Sequence, residues 1–313
     1  MPFSELSPLV KEMYLRQQIE NLVKLYRHAQ NSLAEKLKVV NLTDFQKYRA
    51  EQLLKQVEVI TASLNNGVYK WAKASIPQSY ERGIDLAAER LRALQVTRFV
   101  AYDAQIHTSA IGALVDSVTT ELLIANNNMS KFFNRVIRTT QQSILQDAEI
   151  SRMIAEGLIE GEARRTVSDR LLKELRMQLG NKQFIVVNGR NYRPDSYASL
   201  IARTRTREAS SQGTINTSLR YGVDLVQWDA HAEVCEYCAQ YSGRVYSISG
   251  LDADFPTLTE KPPLHPNCKC VIVPITREAL SDRGYLNEVI KLSRAPSIEV
   301  TSFSRFEEVL SQL

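Results

Sequence analysis

The stretch CEYCAQYSGRVYSISGLDADFPTLTEKPPLHPNCKC, Cys235 to Cys270, contains all four cysteines of a 313-residue chain and one of its four histidines, His265. Its ends read C-x-x-C and H-P-x-C-x-C. The first gap lets Cys235 and Cys238 address one ion across a tight turn. His265 and Cys268 repeat that spacing, and Cys270 shares a face with Cys268 if the chain there is extended. Tetrahedral zinc takes four thiolate and imidazole donors. Five are on offer, so the reading is Cys235, Cys238 and His265 plus one of Cys268 and Cys270. The alternatives are two disulfides or four reduced thiols in a core. A full set of protein donors makes the site structural, because it leaves no open position for a catalytic water.

Outward from this segment, the flanking sequence is a small α+β module over residues 181–276. Residues QFIVVNGRNYRP alternate around Asn188-Gly189, a two-residue hairpin signal. A helix follows Pro194, with Asp195 or Ser196 as its N-cap and Gly222 as its C-terminal stop. DLVQWDA, GRVYSIS and KCVIVPI read as three strands. The helix is expected to pack Leu200, Ile201, Ile215 and Leu219 on strands carrying Trp228, Tyr246 and Val271, with Trp228 roofing the cysteines. On the same helix Arg203 and Arg207 share a face at i, i+4 and could grip a phosphate or a carboxylate; a plain solvated face is the alternative.

Residues 1–180 are expected to be helical almost throughout. Leu53, Val57, Ile60 and Leu64 recur at helical spacing, as do Val167, Leu171, Leu175 and Leu179. Breaks are expected at Asn65-Asn66-Gly67, Pro77, Asn126-Asn127-Asn128 and Gly161. The fold class is therefore mainly α: an elongated N-terminal helical bundle, then the zinc-stapled module, then a helical tail over 277–313 in which EALSDRGYLNEVIKLS forms one helix and SFSRFEEVLSQL a short docking helix.

Composition narrows the function. The 44% hydrophobic and 24% charged fractions are ordinary for a folded chain, and the net charge of +4 is weakly basic. No signal peptide is apparent, and charges interrupt the apolar runs, so no membrane span is expected. A chain made in a reducing cytoplasm uses clustered cysteines for metal more often than for disulfides. An enzyme is not expected. His231-Ala232-Glu233 ahead of C-x-x-C has the residues of a zinc deaminase, but those elements need separate helices to face one ion, and only Val234 separates them here. The His-Asn-His set of an HNH nuclease, a phosphate-cradling glycine loop and a nucleophile elbow are all missing. His28 and His107 read as surface or packing residues.

The run RPDSYASLIARTRTREASSQGTINTSLRYGVDLVQW, then C-x-x-C, the S-G-R-V-Y strand and P-P-L-H-P-N-C-K-C resemble, in that order, the minor head proteins of tailed bacteriophages of the Mu-F-like type. DSYASLIARTRTREA, GVDLVQWDAH and SGRVYSIS are also similar to the related phage minor capsid protein 2 group. The resemblance covers roughly residues 150–275. Lys269 stands where the pattern usually has arginine, which keeps the charge and loses the guanidinium fork. The resemblance implies a virion component of low copy number, made in the host cytoplasm and placed in the capsid interior or at the portal vertex. It would act in head morphogenesis, binding portal or major capsid protein and contacting genomic DNA secondarily, with no membrane or small-molecule partner. Such proteins are not enzymes unless a toxin domain is fused to them, and the chain ends about 40 residues past the module. The rival class is a zinc-stapled nucleic-acid-binding protein, which would show a steeply salt-dependent affinity for DNA.

Overall fold

The computed structural model describes residues 3–38, 47–97, 105–146, 185–187, 190–229, 234–282 and 284–296. The fold is mainly helical with a small strand-containing C-terminal region, as the sequence predicts. Long helices come first: α1 (Pro8–Lys38), α2 (Lys47–Ala93) and α3 (Gln105–Gln146). A hairpin of β1 (Ile185–Val187) and β2 (Arg190–Tyr192) precedes α4 (Pro194–Arg220). Then follow β3 (Leu225–Asp229), a single turn α5 (Glu236–Ala239), β4 (Val245–Ser247), β5 (Val271–Pro274), α6 (Arg277–Asp282) and α7 (Leu286–Arg294). The chain forms two compact units, each discontinuous in sequence. One comprises residues 17–72 and 118–201, the other residues 1–16, 73–117 and 202–313.

In the first unit the apolar stripes of α1, α2 and α3 form the core, with Leu22, Tyr26, Val68, Leu122 and Met129 fully buried. Trp71 Nε1 donates to the Gln18 carbonyl at 2.8 Å, and a Cβ on Gly67 would lie 3.0 Å from Leu25 Cδ1. These pairings run α1 and α2 antiparallel. Three expected helix breaks do not occur. The asparagine clusters lie inside α2 and α3, where Asn126 Nδ2 donates to Asn65 Oδ1 at 2.8 Å, which gives the buried Asn126 amide nitrogen an acceptor. Pro77 also lies within α2. Gly161 and the stripe from Val167 to Leu179 fall outside the described residues. Helix α3 is long and apolar enough to cross a membrane by length and composition, with 22% of its most apolar stretch buried. Asp116 and Glu121 lie within it, and carboxylates are costly at bilayer depth.

The hairpin pairs Val187 with Arg190 across a two-residue connection, as Asn188-Gly189 dictates. Helix α4 begins two residues earlier than an Asp195 cap would place it. Pro194 takes the first helical position, where its missing N–H costs nothing. Asp195 is then no cap but a buried carboxylate, 3.1 Å from Arg27 Nε and 3.4 Å from Arg193 Nε. At the other end Gly222 (φ 71°) donates to the Leu219 carbonyl and Val223 to that of Ser218, both at 2.9 Å, which is the Schellman arrangement.

Strand β3 is central in an antiparallel sheet ordered β4-β3-β5. Alternation divides its side chains between the two faces. Val226 and Trp228 join Ile215 of α4, Ile272 and the buried cysteines, while Leu225 joins Val245, Phe255, Ile275, Leu280 and Val289. The helix thus packs on the sheet through Ile215 and Leu219, and Trp228 is fully buried over the cysteines. Val271 is the exception: it is 39% exposed, because the pleat that buries Ile272 turns its neighbour outward. The single helix expected after Thr276 is two, α6 and α7, parted at Gly284 (φ 75°), a backbone region that glycine enters without steric cost.

Candidate metal centre

The two halves of the site are built alike. The N–H of Cys238 donates to the Cys235 carbonyl at 3.0 Å, and the N–H of Cys268 to the His265 carbonyl at 3.1 Å. Each pair therefore closes one tight turn, with both donor side chains on its inner side. The strands bring the turns together. Cys235 Sγ lies 3.1 Å and Cys238 Sγ 3.2 Å from His265 Nε2, and Cys238 Sγ lies 3.7 Å from Cys268 Sγ. All five expected donors meet in two overlapping triads, Cys235–Cys238–His265 and Cys238–Cys268–Cys270, that share Cys238. None of the cysteines is in a disulfide.

The donor set fits a tetrahedral ion. Zinc–sulfur bonds of about 2.3 Å imply sulfurs about 3.8 Å apart, which the Cys238–Cys268 pair matches. Sulfur to imidazole nitrogen would be about 3.5 Å, so the His265 side would open by a few tenths of an ångström. The imidazole is oriented for the task. His265 Nδ1 lies 2.9 Å from the Pro266 carbonyl; donating there, it leaves the Nε2 lone pair facing the sulfurs. The ring edge of Tyr237 packs against it.

Electrostatics point the same way. Hydrogen bonding from the Cys270 side chain, with help from backbone amides, lowers the Cys268 pKa to about 5. Burial, and then the Cys268 charge, pushes Cys238 up to about 12. The bond to Cys268 and burial raise Cys270 as well. Without a cation the cluster holds one thiolate and resists a second; a divalent cation reverses that balance. Cys270 also faces the Trp228 indole N–H, which is buried without a nitrogen or oxygen acceptor. Trp228 stacks on Tyr241, whose hydroxyl donates to Glu260 Oε2 at 2.6 Å. These residues could hold a metal ion. His231 and Glu233 fall outside the described residues.

A family model for phage minor capsid protein 2 matches residues 10–261. The chain belongs to that family. The match takes in the helical region as well as the C-x-x-C turn, and so extends well beyond the segment from residue 150 that carries the resemblance in sequence. No curated protein and no solved structure matches the chain. Membership makes the protein a phage minor capsid protein, a structural component of the virion that associates with other virion parts.

Sequence reasoning missed a second constellation, in the same unit as the cluster. Tyr80 is fully buried where α2 crosses α4; Asn216 Nδ2 donates to its hydroxyl at 2.6 Å, and that hydroxyl lies 2.9 Å from His107 Nδ1. Burial, then Arg220, lowers the His107 pKa, so the ring is an acceptor and takes the packing role, one of the two expected of it. A Cβ on Gly83 would overlap the Ser210 carbonyl oxygen, and one on Gly213 that of Tyr80. The recurrence of Tyr80–Gly83 and Gly213–Asn216 at i, i+3 is the signal that could have revealed the crossing.

Proposed function

We propose that the protein acts in head morphogenesis of a tailed phage, held at the portal vertex by protein contacts, with DNA contact secondary. The observation that carries this reading is the family match over residues 10–261, which spans the long helices and the C-x-x-C turn and ends before His265. We also infer that the cluster holds one structural zinc through Cys235, Cys238, His265 and Cys268. The 3.7 Å Cys238–Cys268 separation favours Cys268 as the fourth donor, and the indole facing Cys270 favours that sulfur as a buried neighbour. Zinc at such a site supplies folding free energy. Four protein donors leave no place for a reacting water, which supports a non-enzymatic role.

The weak net charge favours protein contacts over DNA. At +4 over 313 residues the chain cannot neutralise many phosphates together. The test is head assembly with and without the protein, followed by co-purification with portal protein at about 0.5 M salt, where exposed charge contacts are screened. Association is expected to persist. Its loss at that salt, with tight duplex binding at low salt, would favour the nucleic-acid-binding class instead.

A further inference from the structure

Two arginines share a face of α4, and the close approach of Gly83 to the Ser210 carbonyl sets a third, Arg82 of α2, beside that helix. Arg207 is half-buried and interacts electrostatically with Arg82, Arg203, Glu12 and Cys268. Its Nη1 is buried and has no hydrogen-bond partner. Glu12 is the carboxylate of this group, and it is already divided: it pairs with Arg82 and, at 3.1 Å, with Arg16. Arg203 is exposed and reaches only a neutral acceptor, Asn267 Oδ1 at 3.3 Å. Asn267 has φ 64° and lies between His265 and Cys268, so the fold of the cluster loop places it. Arg82 and Arg207 thus share Glu12, with the Cys268 sulfur as the other anionic neighbour of Arg207, and Arg203 lies one turn away on the same face of α4.

Such a gathering is unfavourable unless an anion compensates it. A second carboxylate offers two oxygens. A phosphate group offers more acceptors and the geometry that guanidinium forks match in pairs. We propose that Arg82, Arg203 and Arg207 form a binding site for a phosphate group, with Asn267 of the cluster loop at its rim. The phosphate comes either from a nucleic-acid backbone or from a free phosphate compound. The site does not depend on where the chain sits in the head.

Calorimetric titration of the full chain with inorganic phosphate and with pyrophosphate, against chloride at equal ionic strength, tests the proposal. Arg203→Gln changes an exposed side chain and is expected to fold normally; Arg207→Lys keeps the charge and removes the fork. Saturable pyrophosphate binding is expected, weakened at least tenfold by each variant, with the unfolding midpoint of Arg203→Gln unchanged. A duplex of about 20 base pairs separates the sources. If the backbone is the ligand, Arg203→Gln lowers the slope of log affinity against log salt by about 0.9. If a free phosphate compound is the ligand, duplex affinity is the same in both variants while pyrophosphate binding is lost. The proposal is overturned by a titration no different from chloride, by variants that bind as the parent does, or by a polyglutamate peptide that binds tenfold more tightly than pyrophosphate. Portal association measured on the same variants is expected to be unchanged, which keeps the failure of this site distinct from failure of the portal reading.

Discussion

Two places in one compact unit hold distant parts of the chain together by opposite means. At the cysteine cluster, four thiols and an imidazole converge in a geometry that resists carrying its own charge, and under the zinc reading proposed above its order is conditional on a cation. Where α2 crosses α4, two glycines let the backbones touch, and small polar residues of α4 satisfy carbonyls of their own helix, as Thr206, Thr214 and Ser218 do at i−4. That contact is built from shape and needs no ligand. Under that reading the first place is stabilised by chemistry that a buffer can remove; the second is altered only by changing the sequence.

The sharpest way to break the contrast is to remove the ion. Chelation, or Cys238→Ser, is expected to forfeit binding free energy on the order of 10 kcal/mol. Trp228 fluorescence should shift as the sheet opens, while the helical circular dichroism of α1–α3 largely remains. Elemental analysis of protein purified without added metal should give about one zinc per chain. No metal, together with two disulfides by mass spectrometry, would end the metal reading.

Next in size is Gly83→Ala. The added methyl meets a backbone carbonyl that cannot move aside, and a loss of roughly 3 kcal/mol or more is expected from urea denaturation. It should be the same in chelator as in zinc; a loss that vanished in chelator would merge the two regions into one. Gly112→Ala is the control. Nothing lies within 4 Å of its added Cβ, and relief of glycine's helix penalty is expected to stabilise the protein by about 0.5–1 kcal/mol.

A smaller effect is a pH dependence. His107 has a folded pKa below its unfolded value, so between the two the unfolded chain binds more protons. Stability from this residue is complete above about pH 6.5 and is lost as the pH falls toward the folded pKa. Burial raises the Tyr80 pKa to about 12, so the partner hydroxyl costs stability as the pH rises past about 10. Denaturation midpoints from pH 5 to 7.5 should flatten in His107→Gln. A slope unchanged in that variant would assign it to another group.

The metal candidates were legible because ligand chemistry is local: C-x-x-C and H-P-x-C each close one turn, and the spacing alone names the donors. The hairpin and the C-terminal stop of α4 were legible for the same reason, since Asn188-Gly189 and Gly222 act on their immediate neighbours. The glycine crossing was not, because Gly83 and Gly213 acquire meaning only when the fold brings them together. Asn65 and Asn126 misled for that reason as well. Taken singly each asparagine weakens a helix, and the bond between them exists only once the fold brings them together. Asp195 was misplaced by two residues of helix start.

The outer side of β4 has a consequence for how such chains coexist. Val245 N–H is capped by Ser293 Oγ at 2.9 Å, Ser247 N–H donates to the Pro256 carbonyl at 2.9 Å, and Leu258 N–H returns to Ser247 at 2.8 Å. A bare strand at this margin would be a template for a neighbour's backbone. Helix α7 and the loop at Pro256 occupy those hydrogen-bonding positions, so a second copy of the chain is kept from adding a strand at this edge of the sheet.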